Sequence, residues 1–240
     1  LVYLTADGFE AAGGVAHGFS TRLGGVSEGI YATLNLGMNR GDAPDRVREN
    51  YRRFCAAIGA DMGNIVCASQ VHGDTVRTVT AADLGIGLDE PEPWQADGLV
   101  TDIPGVTLAV YSADCLPILL YDPVRRVVGA VHAGWRGTAL GIAAKAVERM
   151  VDCYGCDRLD ILAAVGRRVG GIGKGDKVGR DHHGALMQQL VEGVLTVGAG
   201  LAPEDLTGIG GHGAAVPADV LAVGLHGELL QVGREAVQVL

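Results

Sequence analysis

No run of 18 apolar residues occurs anywhere in the 240-residue chain, so no membrane-spanning helix is expected. The first ten residues lack a basic region followed by an apolar block, and no secretory leader is predicted. Positive charge is also scarce. Lys and Arg number 19 against 28 Asp and Glu, a net charge of −9, which argues against broad electrostatic binding to nucleic acid or to an anionic membrane. An anionic substrate must instead be met by a local basic pocket. Cysteine is too sparse and too unevenly counted for a disulfide framework. The five (Cys55, Cys67, Cys115, Cys153 and Cys156) predict free thiols in a reducing compartment, hence a cytoplasmic protein. Ser, Asn and Phe are absent after Ser112, while 17 of the 38 glycines lie beyond residue 165. The functional reading therefore rests on the residues before 166.

The patterning of those residues predicts one α/β domain over 1–240, with helices covering a mixed or antiparallel sheet system. Short strands are expected at 1–4 and 15–20, with Gly13-Gly14 as a turn between them, followed by a Gly-rich loop over 21–42. Pro44 opens a helix in which Val47, Tyr51, Phe54 and Ile58 recur at helical spacing and which Gly59 ends. From 65 onward the pattern turns to β. Runs at 65–68, 75–79, 98–101, 106–111, 118–121 and 127–131 read as strands, the last two joined by a hairpin at Asp122-Pro123. Unbroken apolar runs among them suit strands buried on both faces. A long helix is expected over 138–154, a strand over 159–165, and further helices over 185–197 and 218–230.

Three segments bring reactive side chains to strand ends beside glycines: Ser69-Gln70-Val71-His72-Gly73, Ser112-Ala113-Asp114-Cys115-Leu116-Pro117 and Val131-His132-Ala133-Gly134-Trp135-Arg136-Gly137. His72, Cys115 and His132 make a two-imidazole, one-thiolate set, the donor mixture that suits a catalytic zinc ion with its fourth position left for water. The intervals of 43 and 17 residues match no local zinc-finger spacing. The same residues also fit a Cys115 nucleophile with His72 or His132 as its base, or simply buried residues with structural partners. Asp114 beside Cys115 raises the cost of a bare thiolate, which favours a metal holding the sulfur. Arg136 precedes a helix start and Arg22 sits among hydroxyls and glycines; both are candidate anion-binding groups, as is Gln70 for substrate. Trp135 is a candidate for ring stacking or for the core. Cys153-Tyr154-Gly155-Cys156 reads as two reduced thiols, His182-His183 as a surface pair, and Asp97-Gly98 as a turn or an outer polar support.

Six segments in order (Phe19-Ser20-Thr21-Arg22 with Gly24-Gly25-Val26-Ser27; Leu34-Asn35-Leu36-Gly37; Ser69 to Gly73; Ala96-Asp97-Gly98-Leu99-Val100-Thr101; Ala113 to Pro117; and His132 to Gly137) resemble the YfiH-like laccase-domain family. The resemblance runs from about residue 15 to 166. It implies an αββα layered sandwich, with Zn2+ held by His72, Cys115 and His132. It further implies purine nucleoside phosphorolysis of adenosine, inosine or guanosine, and methylthioadenosine, together with adenosine deamination; an older label for the family is polyphenol oxidase. In that reading Arg22, Gln70 and Arg136 are expected to meet nucleoside and phosphate, and Asp97 or Asp114 to move a proton. A laccase in the full sense needs several copper centres, which these scattered ligands do not supply. A metal-free Cys–His hydrolase and a non-enzymatic zinc-binding protein are the alternatives. The family's I-G-P-C-I segment is replaced here by Val165-Gly166-Arg167-Arg168-Val169-Gly170. Substrate contacts from that segment onward are not carried over.

Overall fold

A computed structural model of the chain describes residues 1–38, 40–88 and 90–166, together with the backbone of one short strand at Ala222–Val223. The strands are β1 (Tyr3–Leu4), β2 (Phe19–Ser20), β3 (Ile65–Val66), β4 (Val76–Thr78), β5 (Gly98–Thr101), β6 (Thr107–Leu108), β7 (Leu116–Asp122), β8 (Val127–Ala133), β9 (Leu162–Val165) and β10 (Ala222–Val223). The helices are α1 (Asp7–Ala12), α2 (Pro44–Ile58), α3 (Trp135–Ala139) and α4 (Ile142–Tyr154).

A six-stranded mixed sheet in the order β10-β9-β7-β8-β5-β4 forms the centre, with β4 and β5 parallel and the other neighbours antiparallel. Strand β7 shows why its run of apolar residues is continuous. Ile118 and Leu120 belong to one buried cluster, with Ile142, Ala143, Ala146, Val147 and Met150 of α4. Leu119 and Tyr121, on the opposite face, belong to another with Val66, Leu99, Leu108, Phe9 and Phe19. Beyond that second cluster lie the parallel pair β3–β6 and then α2, whose Val47, Tyr51, Phe54 and Cys55 pack with Ile65, Cys67 and Ala109. The layers thus run α4, sheet, short strands, α2: a mixed α/β fold with mixed sheets.

Helix α2 starts at Pro44 and ends before Gly59, which adopts the left-handed conformation with φ 75°. The β7–β8 hairpin turns where expected, with the buried Asp122 carboxylate accepting from the N–H groups of Val124 (2.8 Å) and Arg125 (2.9 Å). The helix expected over 138–154 is instead two, because Gly141 at φ 77° breaks it between α3 and α4. Part of the segment expected as strand 15–20 is loop, and the short helix α1 precedes it. The run 106–111 pairs only at Thr107–Leu108, since the Tyr111 N–H is taken by the Gln70 side chain at 2.6 Å. Ala222–Val223, expected within a helix, is a strand paired to β9. The helix expected over 185–197, the rest of 218–230, and His182-His183 lie outside the described residues. No helix among the described residues is long and apolar enough to cross a membrane, and none of the five cysteines is in a disulfide.

Candidate metal centre

His132 is fixed first, because it lies within a strand. It is the penultimate residue of β8, pairs with Pro117 of β7, and is 3% exposed. Its Nδ1 stands 2.8 Å from Oδ1 of Asp97, a side chain 1% exposed at the start of β5. Burial alone would raise the Asp97 pKa, but hydrogen bonds from His132 and from the Gly73 and Val71 N–H groups outweigh it and hold the group below its usual value. An ionised carboxylate only accepts, so Nδ1 carries the hydrogen and the Nε2 lone pair is left for another partner.

The same carboxylate shapes the second histidine. Asp97 accepts three consecutive backbone N–H groups, from Val71 (3.2 Å), His72 (2.9 Å) and Gly73 (2.8 Å). These bonds curl the loop and hold His72 at φ 59°, a conformation that costs an L-residue roughly 1–2 kcal/mol. The His72 ring then meets the His132 ring edge to face, centroids 4.8 Å apart.

Cys115 completes the group from just before β7. It is 8% exposed, its Sγ lies 3.9 Å from Asp114 Oδ1, and the Ser112 hydroxyl donates to its carbonyl. The preceding residues are anchored by Tyr111. Gln70 holds the Tyr111 main chain at both ends, Nε2 to O at 2.7 Å and N–H to Oε1 at 2.6 Å. The Tyr111 hydroxyl sits 2.6 Å from that of Tyr51 and 3.1 Å from Cys67 Sγ. Burial pushes the Cys67 thiol up to about 12, Cys55 to about 11 and Cys156 to about 12, so these three are inert at neutral pH.

One ligand atom from each of His72, Cys115 and His132 lies within 4.8 Å of the others. Tetrahedral bonds of about 2.0–2.3 Å separate donors by roughly 3.3–3.8 Å, so the three are within about an ångström of a coordination set. Among the described residues this is the one group of three or more His, Cys, Asp or Glu side chains so placed.

Glycine permits the approach. A Cβ on Gly134 would stand 2.8 Å from His72 Cδ2 and 3.3 Å from Cys115 Sγ, and one on Gly137 would stand 2.6 Å from the Gly73 carbonyl. Gly134 has an ordinary φ of −70°, so a methyl there is resisted by the ring and not by the backbone. Gly134→Ala is therefore expected to fold near wild-type stability, since an exposed imidazole can swing away, yet to bind metal at least about tenfold more weakly. Thermal melts and a competitive metal titration check both halves.

The remaining sequence candidates separate. Gln70, a candidate substrate contact, is tied to the Tyr111 main chain by both ends of its amide, just ahead of the Cys115 segment. Asp97, offered by the sequence as an outer polar support or a proton carrier, has four donors on its two oxygens and bonds both the His132 ring and the His72 loop. The Arg22 guanidinium donates to the Ile30 and Ala32 carbonyls at 3.0 Å each and shapes its own loop. Arg136 and Asp114 are exposed, Arg136 on α3 and Asp114 beside the sulfur. Arg136 also bears electrostatically on Asp74, which pairs with Lys145. Sequence reasoning missed the Tyr51–Tyr111–Cys67 support; nothing in the spacing of those residues signals it.

Residues 16–192 match the family described as multi-copper polyphenol oxidoreductase laccase. Over 167 residues the chain is 46% identical to a protein named purine nucleoside phosphorylase from Deinococcus radiodurans, covering 70% of this chain and 61% of that one. It is 40% identical over 161 residues to the purine nucleoside phosphorylase YlmD of Geobacillus stearothermophilus, covering 66% and 58%. The chain thus spans about six-tenths of these relatives' length. Among solved structures it resembles YfiH of Bacillus licheniformis, at TM-score 0.66 and 33% identity over 74% of this chain and 77% of that one.

Proposed function

Since the chain belongs to the multi-copper polyphenol oxidoreductase laccase family, we propose that it is a zinc-dependent purine nucleoside phosphorylase acting on adenosine, inosine or guanosine, and methylthioadenosine. The observation that carries this is the convergence of His72, Cys115 and His132 from three separate segments. The relatives named purine nucleoside phosphorylase support the reaction class. The mixed nitrogen and sulfur donors favour Zn2+, and one such group does not furnish the several copper centres of an oxidase.

In phosphorolysis a phosphate oxygen forms a bond to C1′ of the ribose while the C1′–N9 bond breaks and its electron pair leaves with the purine. When bound, Zn2+ supplies a Lewis acid and lowers the pKa of a coordinated water to about 7. Residues of the chain do the rest. Asp97 holds the His132 tautomer and the His72 loop, so the ligand set is arranged before substrate arrives. Arg136, exposed two residues past Gly134, is the candidate to clamp phosphate, which meets the need for local positive charge in an acidic protein. Arg22 joins it only by releasing its loop carbonyls. Asp114, exposed 3.9 Å from the sulfur, is the carboxylate open to carry a proton, as deamination of adenosine requires.

The test is product analysis on the purified, zinc-loaded chain with adenosine and inosine, with and without phosphate. Free base and ribose 1-phosphate appearing only with phosphate support phosphorolysis, and inosine formed from adenosine without phosphate supports deamination. Turnover that survives chelation but stops on thiol alkylation transfers the chemistry to Cys115 with a histidine base.

A further inference from the structure

Trp135 is the first residue of α3, and the buried side of that short helix is supplied by Gly137 and Thr138. The indole is left 69% exposed. An exposed indole offers a large flat face with a polar edge, the kind of surface on which an aromatic ring stacks. Its neighbour in sequence, Gly134, is the residue whose Cβ position falls 2.8 Å from the His72 ring. With adjacent Cα atoms 3.8 Å apart, the Trp135 Cα lies within about 8 Å of that ring. Val71, the residue before His72, is 43% exposed, and Arg136, the residue after Trp135, is exposed as well. The surface next to His72 thus exposes an indole, an aliphatic side chain and a guanidinium. A flat, uncharged heteroaromatic ring joined to a polar moiety matches that set of groups. Such rings stack on indole regardless of their exocyclic groups.

We propose that Trp135 is the platform on which the purine base stacks, a specificity-determining residue that rests on the phosphorolysis reading above. It holds the base in place while the ribose faces the trio, and it makes the site tolerant of adenine, hypoxanthine and guanine alike. Trp135→Ala is expected to raise KM for inosine and adenosine at least about tenfold. KM for phosphate, the bound zinc and the melting temperature stay at wild-type values, and Trp135→Phe restores most of the loss. A merely structural tryptophan would instead shift metal content, stability or both KM values together, and that result overturns the proposal, as does an unchanged nucleoside KM. Fluorescence separates this idea from the reaction assignment. The chain has 2 tryptophans, and the other, Trp94, lies under Arg77 with the guanidinium 3.7 Å from its ring. Saturable quenching by inosine that vanishes in Trp135→Phe, in a protein that releases no base, keeps the platform and removes phosphorolysis. Base release that is indifferent to Trp135 does the reverse.

Discussion

Cys115→Ala is expected to leave a folded protein with no stoichiometric zinc and no measurable release of purine base. The substitution removes one buried heavy atom and costs on the order of 1 kcal/mol in packing, too little to unfold a core built of three apolar clusters. At the candidate centre it removes the only sulfur donor. Two imidazoles alone have neither the charge nor the softness that selects zinc, so the affinity loss exceeds the roughly 10–100-fold typical for losing an outer support. Metal analysis by mass spectrometry, turnover and a thermal melt check the three parts. Chelated wild-type protein is expected to recover on adding Zn2+ and the variant not to. A Cys115→Ala protein with wild-type turnover would sever the trio from the chemistry. Cys55, Cys67 and Cys156 cannot substitute, because burial keeps them protonated.

That His72, Cys115 and His132 converge was legible in the sequence because each stands where a β-like run stops beside glycine, a position at which a side chain leaves the sheet yet stays rigidly held. Helix α2 was legible for local reasons too: Pro44 at its start, Gly59 at its end and an apolar stripe between them. The short pairings at β3 and β6 were not, since a continuous apolar run does not say how much of it is hydrogen-bonded to a neighbour. Nor was the break between α3 and α4. Gly141 inside a helical pattern looks tolerable until its φ of 77° is seen. The largest gap concerns the supports. Gln70 meets Tyr111 across 41 positions and Asp97 meets Gly73 across 24, and no periodicity links residues so far apart. Asp97-Gly98 reads as a turn or an outer polar support, with the turn as default because Asp and Gly favour turns. That its carboxylate faces inward is a property of β5 lying beside β8.

That inward carboxylate makes Asp97→Asn the second decisive variant, and its effect follows from counting donors. Oδ1 accepts from the His72 N–H (2.9 Å) and His132 Nδ1 (2.8 Å), while Oδ2 accepts from Gly73 (2.8 Å) and Val71 (3.2 Å). Asparagine has the same shape but only one accepting end. If its NH2 turns toward Gly73 and Val71, two donors face a donor and the His72 loop opens; if it turns the other way, it faces the His72 N–H and His132. In the second case His132 can satisfy it only by accepting at Nδ1, which moves the ring hydrogen to Nε2 and blocks that nitrogen as a ligand. Either orientation leaves a buried donor unpaired, at about 1–3 kcal/mol each, and disables one histidine. The expected result is zinc affinity lower by about 10–100-fold, with a fall in the melting temperature of the metal-free protein. Competition against a chromophoric chelator measures the first and calorimetry on the apo form the second. The apo measurement is the telling one, because the loop is held by Asp97 whether or not an ion is bound. If Asp97→Asn keeps both wild-type zinc affinity and wild-type apo stability, the carboxylate does not hold the two histidines in place, and their convergence must be maintained by the packing of β8 and α3 alone.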